Sequence, residues 1–196
     1  MSITQKTIGF CTIFLFCTIC SYPIKQQDLL KNFGGWSIDK ELFDYIRQVL
    51  PTGKTILELG SGWTSGILSE YYTVYSIEHD PQWVGKYNTH YIYAPIIHGW
   101  YDVSVLSTEL PTHYDLILID GPTGTIGRWG FYTNLYLFNT NTIMIFDDVN
   151  RIAEYNLLVA VSHKLNKSYT IYESNGGKKF GVILPKKLWK RNRYKK

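Results

Sequence analysis

The residues best suited to chemistry are acids that close short apolar runs. Glu58 precedes Leu59-Gly60-Ser61-Gly62, Glu78 closes the run from Val74 to Ile77, and Asp120 closes Asp115-Leu116-Ile117-Leu118-Ile119. Asp147 and Asp148 follow the run from Thr142 to Phe146. Carboxylates accept hydrogen bonds from hydroxyls, take protons as general bases, or bind hard cations through oxygen. Gly60-Ser61-Gly62 lies between a predicted strand and a predicted helix, where glycines let the backbone approach a ligand and a helix start offers free amides. The spacing is not that of a dinucleotide fingerprint, because position 65 is Ser and the next glycine is Gly66. Glu58 would also repel a pyrophosphate, whereas it suits a ligand carrying an ammonium group. Glu78 stands 18 residues beyond Gly60, where a carboxylate can accept hydrogen bonds from ribose hydroxyls. The plain alternatives are a tight turn at the glycines and a bare acid at a strand end.

These acids need elements to bring them together, and the pattern supplies them. Ser37 can cap a helix in which Ile38, Leu42, Tyr45, Ile46 and Val49 recur at helical spacing until Pro51-Thr52-Gly53. A strand over 55–59 leads into the glycines, and Thr64 or Ser65 opens a helix to about Tyr71. Pro81 suits the first turn of a further short helix. The Tyr-rich stretch 91–97 reads as strand and then loop, and 129–138 as a helix. The runs at 115–119 and 142–146 are nearly continuous in apolar residues, as strands buried on both faces of a parallel sheet are. Ala153, Leu157, Ala160, Val161 and Leu165 form a helical stripe. Strands at 169–173 and 180–184 flank Asn175-Gly176, a strong hairpin signal. Alternating strands and helices imply an α/β fold, a mostly parallel sheet ending in an antiparallel hairpin. Ligands in such folds gather at the carboxyl ends of the strands, where these acids fall.

Composition limits the alternatives. The chain has 196 residues, 45% hydrophobic and 18% charged, which suits one globular domain and neither a disordered nor a polytopic protein. The 16 tyrosines are strand fillers or sugar-facing rings. The net charge is +4, yet residues 186–196 hold seven Lys or Arg and no acid, which leaves the rest at −3. That basic tail is a solvated terminus, or a contact for nucleic acid or an anionic membrane. Cys11, Cys17 and Cys20 all precede the domain, so it contains no zinc site or disulfide framework built on cysteine. Lys6 followed by an apolar run over 8–19 has signal-peptide proportions and falls short of the ~20 residues of a bilayer span. Residues 1–24 thus read as a leader or anchor that places the chain in the secretory pathway or at a membrane, with a cytoplasmic location as the alternative. Residues 25–185 form the domain and 186–196 the tail.

Glu58-Leu59-Gly60-Ser61-Gly62 and Ser76-Ile77-Glu78-His79-Asp80 resemble motifs I and II of the class I S-adenosylmethionine-dependent methyltransferases. The stretch from Tyr114 to Pro122 is similar to their motif IV. Asp120-Gly121-Pro122, Gly127-Arg128 and Phe146-Asp147-Asp148-Val149-Asn150-Arg151 with Glu154 resemble the polysaccharide O-methyltransferases of the glucuronoxylan type. The resemblance implies a Rossmann-like fold with a seven-stranded sheet, and methyl transfer from S-adenosylmethionine to a hydroxyl of a sugar or glycan. By the same resemblance Glu58, Gly60, Ser61 and Gly62 hold the methionine end of the donor, Glu78 the ribose, and Asp120 faces the methyl group, with His79 beside the site.

A sugar hydroxyl needs a base or a divalent metal to lose its proton. Asp120, Asp147 and Asp148 are the candidates for either role, and with Asn150 they make an all-oxygen set suited to Mg²⁺ or Mn²⁺. The alternative is that Asp148 or Asn150 only caps a helix. Arg128 is a candidate contact for an acidic sugar or the donor carboxylate, or else a solvated loop charge. Arg151 is expected to pair with Glu154 or to support helix packing. Trp100 and Tyr101 are candidate stacking residues for a base or a sugar, or core residues, and Trp36 a candidate cover for the donor. Other acceptors in view are a small hydroxylated metabolite and RNA. The non-enzymatic alternative is a membrane-tethered nucleoside-binding domain.

Overall fold

The computed structural model describes residue 33 and residues 37–185. The leader with its three cysteines, Trp36 and the basic tail lie outside the described residues. Among the described residues no helix is long and apolar enough to cross a membrane.

Helix α1 (Lys40–Val49) buries Leu42 and Ile46, one helical turn apart. It begins with Asp39 rather than Ser37 at the cap position, and the Asp39 side chain makes no capping bond. Strand β1 (Thr55–Leu59) runs into helix α2 (Trp63–Ser69), which Gly62 precedes, and then strand β2 (Thr73–Glu78). Residues 81–87 form turns rather than the helix that Pro81 suggested. Strand β3 (His90–Tyr93) is followed by a small antiparallel ribbon of β4 (Ile96–Ile97) and β5 (Trp100–Tyr101). Helix α3 (Val103–Glu109) starts where Asp102 Oδ1 accepts the Ser104 amide at 2.9 Å, a side-chain cap.

Strand β6 (Leu116–Ile119) leads to a short helix α4 (Gly130–Thr133) and a 3-10 turn over Leu135–Leu137, which together replace one continuous helix over 129–138. Strand β7 (Ile143–Phe146), helix α5 (Ile152–Leu165), and strands β8 (Tyr169–Glu173) and β9 (Lys179–Ile183) complete the chain.

The seven long strands form one sheet in the order β3–β2–β1–β6–β7–β9–β8. β3, β2, β1, β6 and β7 are parallel, β9 runs antiparallel to β7, and β8 closes the hairpin against β9. The expected mostly parallel α/β sheet with a terminal antiparallel hairpin is therefore present. Alternate residues on each strand fill two cores. Leu57, Leu59, Ile117, Ile119, Met144 and Phe146 pack with Leu106 of α3, Phe131 of α4 and Leu157, Leu158 and Val161 of α5. Ile56, Val74, Leu116, Leu118, Ile143 and Ile145 pack with Leu42 and Ile46 of α1 and Leu68 of α2. Each fully buried Leu or Ile is worth about 1.5–3 kcal/mol relative to exposure. β6 and β7 read as unbroken apolar runs because helices cover both their faces, and β1 departs from this only at Thr55 and Glu58.

Candidate functional site

Strand order reverses between β1 and β6, which opens a crevice at their carboxyl ends. The register explains why acids meet there. Leu59 is aligned with Ile77 of β2 and Ile119 of β6, and Ile119 with Phe146 of β7. One residue further along, Gly60 therefore stands between Glu78 and Asp120, with Asp147 beside Asp120. The ladder bonds continue into this row, with Gly60 N–H donating to Ile77 O at 2.9 Å and Asp147 N–H to Ile119 O at 3.1 Å. Side chains alternate between faces, so Glu58 lies beneath this row, aligned with Ser76 and Leu118.

The two central turns touch. Gly60 has φ +89°, and a Cβ there would lie 3.1 Å from the Cα of Gly121. A Cβ on Gly121 would come within 2.7 Å of Gly60 and 2.5 Å of the Tyr101 hydroxyl. Only glycine permits this approach, and it leaves a cavity of about 380 Å³ above the strand ends. Glu58, Gly60, Ser61, Gly62, Glu78, His79, Asp120 and Arg128 line it, and so do Ser37, Trp63, Thr64, Asp80, Trp83, Asp148 and Arg151. Its size lies in the ordinary range for small-molecule sites. A more open hollow beside Ser162, Asn166 and Tyr169 lies at the end of α5 and contains none of these acids.

On the β1–β2 side the acids meet neutral donors. Glu58 is 3% exposed, and its Oε1 accepts the Ser76 hydroxyl at 2.6 Å. Burial pushes its pKa up to about 8, against the lowering effect of hydrogen bonds from Ser65 and Ser76. Glu78 Oε2 accepts the Ser61 amide at 2.8 Å, and Oε1 accepts the amides of His79 and Asp80 at 2.6 and 2.8 Å. Glu78 thereby ties the glycine turn to the end of β2. The His79 ring nitrogen Nδ1 is 2.9 Å from Glu78 Oε1 but lacks hydrogen-bond alignment. The Thr64 hydroxyl, buried against the cavity, has no protein partner among the described residues.

The β6–β7 side is built from charge pairs. Arg128, 6% exposed, donates through Nη2 to Asp120 Oδ1 and Asp148 Oδ2, both at 3.1 Å, and through Nη1 to Asp147 O at 3.1 Å. Arg151 Nη1 reaches Asp148 Oδ2 at 3.0 Å. Lys178 Nζ lies 3.5 Å from Asp147 Oδ2 and 3.4 Å from Asp148 Oδ1, and donates to Ser37 O at 3.1 Å. The Asp120 side chain keeps 26% of its surface open, yet desolvation still raises its pKa, with Arg128 opposing and Asp148 reinforcing the rise. Burial likewise pushes Asp147 up to about 7, helped by Asp120 and opposed by Lys178. Asp148 sits at φ +60°, a conformation rare for non-glycine residues.

The structure thus brings Glu58, Gly60, Ser61, Gly62, Glu78, His79, Asp120, Asp148 and Arg128 to one cavity, with Asp147 directly behind. Three expectations need correction. Arg128 is not a solvated loop charge, because its guanidinium is buried at the cavity wall among backbone carbonyls and two carboxylates. Arg151 pairs with Asp148 rather than Glu154. Trp100 and Tyr101 are 4% and 0% exposed and belong to the core. Trp100 packs on Gly130, where a Cβ would come within 2.1 Å of its ring, and neither aromatic lines the cavity. Lys178, Trp63, Trp83 and Thr64 were not anticipated. Trp63 and Thr64 directly follow Gly62, and that adjacency was a usable signal, whereas nothing local to Lys178 marks it.

Asp120, Asp147 and Asp148 present oxygens within 4.8 Å of one another, close enough to surround a metal ion. Arg128, Arg151 and Lys178 already stand against those oxygens, so the residues as arranged fit a divalent ion poorly. A cationic nucleoside fits the other side better, where Glu58 makes no ion pair among the described residues and the Thr64 hydroxyl lacks a partner.

No family model and no curated protein matches this chain. Solved structures do. The chain is similar to a methyltransferase from Pyrococcus furiosus, with a TM-score of 0.50 and 16% identity over 73% of this chain and 80% of that one. The fold is that of the class I methyltransferases. Two further solved structures are similar at lower scores. A ribosomal protein L11 methylase from Lactobacillus delbrueckii subsp. bulgaricus has a TM-score of 0.46 and 17% identity over 74% of this chain and 76% of that one. The M1A22 tRNA methyltransferase TrmK of B. subtilis has 0.49 and 14%, over 76% of this chain and 66% of that one.

Proposed function

We propose that the protein is an S-adenosylmethionine-dependent O-methyltransferase whose acceptor is a hydroxyl of a sugar or glycan. The observation that carries the donor assignment is Glu58, a carboxyl group buried in the cavity floor with no cation beside it among the described residues. Burial keeps this group largely protonated near neutral pH, and the ammonium group of the donor's methionine end is a partner that would favour its ionised form. The backbone turn at Gly60, Ser61 and Gly62 and the Thr64 hydroxyl would hold the rest of that end. Glu78 already accepts three backbone amides, and of the roughly four lone-pair sites of a carboxylate one is left for a ribose hydroxyl. When bound, the donor supplies an electrophilic methyl group on a positively charged sulfur.

Asp120 is the acid on the acceptor side that is partly open to the cavity and has a raised pKa, two properties that suit a general base. It would take the proton released by the acceptor hydroxyl, while Arg128 holds its carboxylate in place. Asp147 does not line the cavity and acts from behind.

The test is a tritiated-methyl transfer assay against a panel of glycans, with small hydroxylated metabolites and RNA as comparison acceptors. Transfer to glycans, abolished in Asp120→Ala while that variant still binds S-adenosylhomocysteine, is the expected outcome. Wild-type turnover in Asp120→Ala would overturn the base assignment. Transfer to RNA alone would overturn the acceptor.

A further inference from the structure

The acceptor side holds three carboxylates whose oxygens lie within 4.8 Å of one another, an arrangement that in water would attract a divalent cation. Three side-chain cations from three separate segments occupy that role. Arg128, from the loop after β6, bridges Asp120 and Asp148 with one nitrogen 3.1 Å from each. Arg151, at the start of α5, takes the same Asp148 oxygen at 3.0 Å. Lys178, from the tip of the β8–β9 hairpin, stands 3.5 Å from Asp147 and 3.4 Å from Asp148. The count is three acids against three cations, so their formal charges balance. The lysine is also anchored from outside the cluster, since its Nζ donates to the carbonyl of Ser37 on the cavity wall. The neighbouring Asn175 holds the hairpin tip to α1, its Nδ2 donating to Glu41 Oε1 at 2.6 Å.

We propose that Arg128 and Lys178 stand in for a divalent metal ion: they neutralise the Asp120–Asp147–Asp148 cluster from within, so that this chain needs and binds no metal there. The inference rests on the reading of the site as a methyl-transfer centre only for its consequence, metal-independent turnover. The binding claim stands without it. Lys178 is a positioning residue, holding Asp147 and Asp148 behind the base without reaching the cavity itself. Bringing a divalent ion to these oxygens would place it against two guanidinium groups and an ammonium, and like charges at such range repel strongly in a partly buried site.

The experiment is a thermal-shift titration of the full chain with MnCl2 alone, from micromolar to millimolar, on the parent, Lys178→Met, Lys178→Arg and Asp147→Asn. The parent is expected to show no Mn²⁺-dependent shift. Lys178→Met, left with three acids and two cations, is expected to gain a saturable rise of a few degrees at millimolar Mn²⁺, and Lys178→Arg to restore the parent's indifference. A saturable rise in the parent that disappears in Asp147→Asn overturns the proposal. A Lys178→Met variant that folds and stays as indifferent as the parent overturns the part assigned to the lysine. In the methyl-transfer assay, unchanged turnover with EDTA is the expected companion result, and loss restored by Mn²⁺ contradicts it. Failure of the chain to bind S-adenosylhomocysteine would refute the methyltransferase reading but leave the Mn²⁺ titration equally decisive.

Discussion

The two sides of the cavity handle buried acids in opposite ways. At the ends of β1 and β2, Glu58 and Glu78 are held by serine hydroxyls and backbone amides, and neither Lys nor Arg pairs with them among the described residues. At the ends of β6 and β7, Asp120, Asp147 and Asp148 each face at least one Lys or Arg. One side has acids without a Lys or Arg partner among the described residues, and burial there raises Glu58 so that it tends to hold its proton. The other side is paired with cations of the protein itself. The contrast teaches that carboxylates at the same edge of one sheet can be held either by neutral donors or by internal cations, and the proposed division between donor binding and proton transfer follows that difference.

The largest effect expected from breaking this contrast is at the base. Asp120→Asn keeps shape and loses proton acceptance, so kcat should fall by about 10²–10⁴-fold, with donor affinity changed only a few-fold; steady-state kinetics beside a binding titration check both. Next comes the internal cation. Arg128→Met leaves Asp120 and Asp148 short of their buried partner, and a loss of about 3–5 kcal/mol is expected in urea unfolding.

The acids raised by burial also set a pH dependence. Glu58 and Asp147 have folded-state pKa values near 8 and 7, above those of an unfolded chain, so the folded protein binds more protons between those limits. Stability is then fully present near pH 4 and is lost as pH rises towards 8, by at most about 1.4 kcal/mol per pH unit for each group. Unfolding measured at pH 5 and pH 8 without ligand should show the pH 5 protein to be the more stable. Equal or greater stability at pH 8 would contradict the burial of these acids. The smallest effect lies at the seam between the two sides. The Tyr101 hydroxyl is buried beside Gly121 without a hydrogen-bond partner among the described residues, so Tyr101→Phe should stabilise the ligand-free protein by about 1 kcal/mol. A loss of stability in the same urea measurement would mean that the hydroxyl is satisfied by water.

Most of the fold could be read from the chain because its signals are local. The apolar runs at 55–59, 116–119 and 143–146, the glycine turn and the Asn175-Gly176 hairpin are each contained in a few neighbouring residues. Helix α3 was not read from the sequence, because the aromatics Trp100 and Tyr101 beside it drew the reading towards a ligand. The rows of acids follow from strand register, so Glu58, Glu78 and Asp120 were placed correctly at one rim. The cations that answer the acids were not legible. Arg128 finds its partners on two different segments, at Asp120 and Pro122 after β6 and at Asp147-Asp148 after β7. Lys178 reaches Asp147 from 31 residues away. Both look like solvated charges in their own neighbourhoods, and only the folded sheet brings them to the acids.

The unpaired side is tested most directly by titrating S-adenosylmethionine calorimetrically into the parent and into Glu58→Gln at pH 7, in two buffers of different ionisation enthalpy. The parent should bind one equivalent with a heat that differs between buffers, because Glu58, with its pKa near 8, must release a proton to receive the ammonium group. Glu58→Gln should bind at least about 30-fold more weakly, as loss of a buried charge pair worth about 2 kcal/mol or more requires, and should show no buffer dependence. Equal affinity in the two proteins would contradict the account.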